Sequence, residues 1–143
     1  MPYKTKYIPD NPSKYVGDIN SIFCRSLWER KFCKYLDSNK NIIRWSFESI
    51  KIPYLSPIDN KIHNYIPDFL VESKNKDGSI STKIVEIKPK KQTKEPFKGN
   101  KKKKTILTEN ITYKINIAKW KYAKEFCDKH NIEFKILTEE DLF

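Results

Sequence analysis

Two short apolar runs, Ile66-Pro67-Asp68-Phe69-Leu70-Val71 and Ile84-Val85-Glu86-Ile87-Lys88, constrain this chain more than any other feature. Both are rich in residues that pack well inside a sheet, yet each is interrupted by a carboxylate that a buried strand cannot hold alone. An unpaired charge in the interior costs several kilocalories, so each needs a cation or a set of hydrogen-bond donors. Side chains alternate along a strand, which puts Glu86 and Lys88 on one face. If a hairpin makes the two runs neighbours, Asp68 and Glu86 converge beside a lysine at the end of the sheet. A hard divalent cation with oxygen ligands is the natural partner for such a pair.

The rest of the chain reads as α/β, a mixed sheet flanked by helices. With 143 residues there is material for one core, and one domain is expected over 1–143. Residues 1–20 carry Pro2, Pro9, Pro12 and Gly17 and read as an extended arm without regular structure, packed by its tyrosines. Over 21–38 the spacing of Trp28, Phe32, Tyr35 and Leu36 predicts an amphipathic helix. Strands are expected at 42–46, 49–55 and 63–72, and a turn at Asn75-Lys76-Asp77-Gly78 leads into a fourth at 82–88. Helical spacing returns over 111–129, followed by a strand at 133–137. Thr138-Glu139-Glu140-Asp141 has the form of a capping box that opens a last turn.

Lysine and arginine number 29 against 18 acidic residues, a net charge of +11 that favours a polyanionic partner, and 13% aromatic residues argue against wholesale disorder. The charge is densest in 89–105, where Lys90, Lys91, Lys94, Lys98, Lys101, Lys102, Lys103 and Lys104 repel one another. That stretch reads as a mobile basic loop and the strongest candidate for contacting a nucleic-acid backbone. Lys114 and Lys119 on the later helix join it as candidates. A solvated linker and a solvated helix face remain open alternatives, and Trp120 reads as core. No apolar run approaches ~20 residues and no signal peptide opens the chain, so a membrane or secretory role has no support. Cys24, Cys33 and Cys127 lack close pairing and read as reduced core thiols, while His63 and His130 are too isolated to suggest zinc.

Phosphodiester hydrolysis needs a positioned water, a charge clamp on the phosphate and help for the leaving oxygen, and Mg²⁺ held by one or two carboxylates serves each need. Asp68 and Glu86 are the candidate ligands, with the backbone carbonyl of Ile87 as a third oxygen. Lys88 is placed to orient the attacking water and to stabilise charge on the phosphoryl oxygens. Glu29 lies at the edge of the first helix's buried stripe, from which it can reach the ion directly or through water. The residues alone leave other readings open: an i,i+4 pair of Glu29 with Arg25, or an exposed Glu86–Lys88 ion pair with Asp68 in a bend.

With Glu29 on a helix, then Pro67-Asp68 and Glu86-Ile87-Lys88, the chain resembles the PD-(D/E)XK nuclease superfamily, which implies a restriction-endonuclease-like αβββαβ core. A narrower likeness is to the head completion nucleases of T4-like tailed phages. It is carried by Asn11-Pro12-Ser13-Lys14-Tyr15-Val16-Gly17-Asp18, Arg25-Ser26-Leu27-Trp28-Glu29, Lys119-Trp120 and Leu137-Thr138-Glu139-Glu140-Asp141-Leu142. That resemblance implies a Mg²⁺-dependent DNA endonuclease, with Mn²⁺ able to substitute, acting on the ends of packaged double-stranded DNA. It also implies capsid, portal or neck proteins as partners, and a place in the host cytoplasm or with the virion. The endonuclease subunit of Tn7-type transposition shares the strand motifs and the helix glutamate, and ranks lower because the phage likeness runs through nearly the whole chain. A structural protein that binds DNA ends with little turnover is the competing class, which the intact acidic pair disfavours.

Overall fold

The structure, a computed structural model, describes residues 4–142, so residues 1–3 of the expected arm and Phe143 lie outside it. Where an arm without regular structure was expected, Thr5–Lys6 (β1) pairs antiparallel with Phe23–Cys24 (β2), and Pro12–Lys14 forms a short 3-10 turn. Asp37 supplies the reason. Its buried carboxylate accepts hydrogen bonds from the Tyr7 hydroxyl (2.8 Å) and from the backbone N–H groups of Asp10 (2.7 Å) and Asn11 (3.0 Å). The Lys14 ammonium donates to the carbonyls of Leu36, Asp37 and Asn39, groups that a helix end leaves unpaired. Proline and glycine spacing carries no sign of so remote an anchor.

The first helix, α1, spans Leu27–Ser38 and is shorter than the 21–38 expected. Ser26 stops it, because its hydroxyl caps the Glu29 N–H at 3.1 Å and the residues before it are drawn into β2. Six strands and two helices follow: β3 (Ile42–Phe47), β4 (Ile52–Leu55), β5 (Ile62–Tyr65), β6 (Phe69–Lys74), β7 (Ile80–Ile87), α2 (Lys103–Lys129), β8 (Glu133–Leu137) and α3 (Glu139–Leu142). The central sheet runs β3-β6-β7-β8, antiparallel except for the parallel β7–β8 pair. Its helices and strands follow the order αβββαβ, with β4 and β5 inserted as a separate two-stranded hairpin.

Two strand expectations are corrected here. The strand placed at 49–55 does not join the main sheet: Glu48 adopts a left-handed backbone (φ 52), which turns the chain away after β3. The strand placed at 63–72 is two strands, β5 on the hairpin and β6 in the main sheet. Pro67 lies at the break, lacking the N–H that a continuous ladder needs.

Alternation along β7 sorts the two cores. Val85 and Ile87 face α1 among Trp45, Phe69, Val71, Phe32 and Leu36, while Ile84 faces α2 among Trp120, Ala123, Cys127 and the hairpin residues Ile52, Tyr54 and Tyr65. Each such side chain stabilises by roughly 1.5–3 kcal/mol. The three cysteines are free thiols within these cores, and Trp120 is core as expected. Glu86 and Lys88 share the parity of Ile84, so the fold directs them to the α2 side. The segment 89–105 is more structured than a loop: Lys90–Thr93 is a 3-10 turn, and α2 begins at Lys103 rather than near 111. In α3 the expected capping box forms, Thr138 Oγ1 accepting from Glu140 N–H (3.3 Å) and Asp141 Oδ2 from Thr138 N–H (2.8 Å).

Candidate active site

The strand registers set the site. One residue beyond the Phe69–Val85 pair, Asp68 stands opposite Glu86, and one residue beyond Phe47–Phe69, Glu48 stands opposite Asp68. Asp68 therefore precedes the first residue of β6 and does not lie inside a strand running through 63–72. The row is locked by the backbone. Glu86 Oε1 accepts from the Asp68 N–H at 3.2 Å, Asp68 Oδ2 from the Ile87 N–H at 2.8 Å, and the Asp68 carbonyl from the Glu48 N–H at 2.8 Å. Lys88, just past β7, is tied by its N–H to the Leu137 carbonyl at 3.0 Å.

Charge is concentrated where solvent is scarce. Burial, reinforced by the Glu86 charge, holds the Asp68 carboxyl well above the usual range, with the Ile87 N–H and Lys88 opposing. Burial also raises Glu86, which is 5% exposed, and there Lys88 is the largest opposing influence. Tyr65 lies beside Glu86, and its phenol is pushed up strongly by burial and by the two carboxylates. The side chains of Tyr65 and Glu86 interact directly, which ties the buried phenol to the acidic row.

A cleft of about 490 Å³ opens over this row, lined by Arg25, Glu29, Glu48, Asn64, Tyr65, Ile66, Asp68, Glu86, Lys88 and Lys119. It brings together Glu29, Asp68, Glu86, Lys88 and Lys119 from the sequence candidates. Glu29 accepts from the Arg25 backbone N–H at 2.8 Å through Oε1. Burial pushes its carboxyl up to about 7, with Asp68 and Glu48 adding and the Arg25 N–H opposing. The side-chain pair of Glu29 with Arg25 does not form, since the guanidinium instead bonds the Glu48 carboxylate. Lys119 reaches in from α2, its Nζ 5.7 Å from the Tyr65 ring centre, and burial lowers its pKa with help from Lys88. Arg25, Glu48 and Tyr65 escaped the sequence reading as site residues. Glu48 had a usable signal, being a carboxylate that directly follows an apolar strand.

Among the described residues no three carboxylate, imidazole or thiolate side chains converge as a closed metal cage. Asp68 and Glu86 each have an oxygen engaged with a backbone N–H, and a pair of carboxylates suits an ion that keeps several waters and takes one or two carboxylates. Of the other lysines, Lys91, Lys94 and Lys101 line a second groove between 91–101 and α2. Lys90 is bonded to Glu140 (2.6 Å) and Lys101 to Glu109 (2.9 Å). Lys103 and Lys104 form the first turn of α2, and Lys98, Lys102 and Lys114 are exposed outside the cleft.

A mixed four-stranded sheet with helices on both faces, and acidic residues and a lysine at its strand ends, defines a restriction-endonuclease-like nuclease domain. Residues 39–139 match the TnsA-like endonuclease N-terminal domain, and the chain belongs to that family. The match includes Asp68, Glu86, Lys88 and Lys119, and begins after Glu29. The head completion nuclease of Enterobacteria phage T4 is 40% identical over 146 aligned residues, taking in 99% of this chain and 95% of that protein.

Proposed function

We propose that this chain is a divalent-metal-dependent DNA endonuclease of phage head completion, using Mg²⁺ with Mn²⁺ able to replace it. One observation carries the reading: Asp68 and Glu86 are held opposite each other by backbone hydrogen bonds, beside Lys88, in an open cleft. Asp68, Glu86 and the Ile87 carbonyl would hold the ion, and Glu29 would contribute directly or through water. When bound, the cation clamps the phosphate and makes the attacking water more acidic. Lys88 orients that water and stabilises the charge that develops on the phosphoryl oxygens. Lys119, held on the far wall by Tyr54 and Tyr65, neutralises a neighbouring phosphate. The lysines of 90–104 and Lys114 bind the DNA backbone without demanding a base sequence.

The phage relative is named for head completion, and on that footing we infer packaged double-stranded DNA ends as substrate and capsid, portal or neck proteins as neighbours, in the host cytoplasm or the virion. No described helix is long and apolar enough to cross a membrane. The test is incubation of supercoiled plasmid with the protein in Mg²⁺ or EDTA. Nicking is expected only with the ion, and Asp68→Ala or Glu86→Ala should abolish it while leaving DNA binding in place. Wild-type nicking by Asp68→Ala would overturn the assignment; a DNA shift without nicking in Mg²⁺ would make the protein a structural end-binder.

A further inference from the structure

The second groove has a volume of about 630 Å³, within the usual range for small-molecule and cofactor sites, and apart from its lysines nothing in the chemistry above uses it. One wall is 91–101, which presents Phe97. The other is α2, which presents Thr108, Thr112, Tyr113 and the buried Asn116. Phe97 is 82% exposed, an unusual setting for a phenylalanine. Its ring rests against Gly99, whose backbone is left-handed (φ +49) and where a side chain would begin about 3.0 Å from the ring edge. Glycine at that position lets the ring lie there. Around the aromatic wall the lining carries Lys91, Lys94 and Lys101 against Glu95 and Glu109, the last paired with Lys101, and Lys98 and Lys102 lie beside them in sequence, so lysine predominates.

We propose that this groove binds an unpaired nucleotide strand next to the nuclease cleft, so that the preferred substrate is duplex DNA with a single-stranded end. The inference rests on the reading of this chain as a DNA-acting enzyme and adds the class of DNA. An aromatic wall with lysines at its edge is how proteins take single strands, because every unpaired base offers a π-face and every nucleotide a phosphate. Bases inside a duplex are stacked on one another and have no face to give. Asn116 adds an amide with both donor and acceptor, matched to a base edge. Position fits as well: Asn116 and Lys119 lie three residues apart on α2, on neighbouring turns of one face, while Lys88 of the cleft and Lys91 of the groove are three residues apart in sequence. A strand leaving the cleft therefore meets the groove within a short reach.

The experiment measures affinity by fluorescence anisotropy in EDTA, where nothing is cleaved. It compares a blunt hairpin duplex with the same duplex carrying a short oligothymidine tail. The tailed DNA should bind tighter, and Phe97→Ala should weaken its binding by roughly 5- to 150-fold, the range for loss of one base–aromatic stack. Phe97→Trp should restore it. Because Phe97 is exposed, its replacement leaves the core intact. Equal affinity for blunt and tailed DNA, or a tail preference indifferent to Phe97→Ala, would overturn the proposal and give the groove to another ligand, such as an acidic protein segment. The outcome stands apart from the nuclease reading. Tail preference without Mg²⁺-dependent nicking would sink that reading and keep this one, and nicking without tail preference would do the reverse.

Discussion

Replacing Asp68 by asparagine should make the metal-free protein more stable while it abolishes cleavage. Asparagine keeps the side chain's shape, so its oxygen can still accept from the Ile87 N–H, and its amide can donate to Glu86 where a second carboxylate repelled it. Two unit charges ~4 Å apart repel by ~4 kcal/mol at an effective dielectric of ~20. Backbone donors, Lys88 and uptake of a proton recover much of this in the wild type, leaving a net gain of about 1–2 kcal/mol. For a chain of this length that is about 3–8 °C in Tm.

The sign depends on pH. Asp68 and Glu86 both have folded-state pKa values above the usual carboxylate range, so the folded protein holds more protons than the unfolded chain. Their stabilising contribution is complete at low pH and is lost as pH rises through the raised values. The gain from Asp68→Asn should accordingly be small at pH 5 and full at pH 8. Thermal unfolding in EDTA at both pH values checks this. Saturating Mg²⁺ should then reverse the order at pH 8, adding about 2.7 kcal/mol to the wild type at a hundred times Kd and little to the variant. A lower Tm for Asp68→Asn in EDTA at pH 8 would refute the reasoning, because the carboxylate would then be serving the fold.

Other outcomes follow from the same geometry. Lys88→Met should lower turnover far more than DNA affinity, since it keeps the hydrocarbon stem and loses the charge beside the water; single-turnover nicking with parallel binding measurements checks it. Glu29→Gln should slow nicking less than Asp68→Ala does. It should also remove part of the loss of stability that the metal-free wild type suffers as pH rises from the ordinary carboxylate range through about 7, an effect under about 2 kcal/mol once solvent screening is allowed for and readable from Tm against pH. Replacing Lys101, Lys102, Lys103 and Lys104 with glutamine should weaken binding to all sequences alike and flatten the slope of log affinity against log salt by up to ~3 units, measured by a salt titration. Asp37→Ala should lower stability by about 3 kcal/mol or more by orphaning Tyr7, Asp10 and Asn11, yet leave nicking intact at low temperature.

What the sequence disclosed was conflict between neighbours. Asp68 and Glu86 were legible because a carboxylate inside an apolar run contradicts its surroundings, and Lys88 followed from strand parity alone. Glu48 sits at the end of the apolar β3 and obeys the same rule, but its left-handed backbone depends on the path of the chain rather than on its residue type. Arg25 was read along the helix, toward Glu29, when β1–β2 pairing holds it ahead of the helix and lets it reach Glu48. The start of α2 was misplaced by weighing lysine repulsion without Glu109, which pairs with Lys101 eight residues away. In each case the deciding partner is remote, and periodicity sees only near neighbours.

Once its carboxylates are ionised, the cleft has a charge balance opposite to that of the molecule. The chain carries +11, yet Glu29, Glu48, Asp68 and Glu86 outnumber Arg25, Lys88 and Lys119 in the cleft lining. Fully ionised, that lining is net negative and repels the phosphate it must cleave. A divalent cation reverses the sign, so the proposed ion would govern entry of the scissile phosphate as well as the chemistry on it. The lysines of 91–104 lie outside the cleft, and their attraction for DNA needs no metal. Affinity in EDTA should therefore report the basic groove and its salt dependence, while the increment that Mg²⁺ adds should vanish with Asp68→Ala. Binding would thus divide into a metal-independent grip on the backbone and a metal-dependent seating of one phosphate, and only the second commits the strand to hydrolysis.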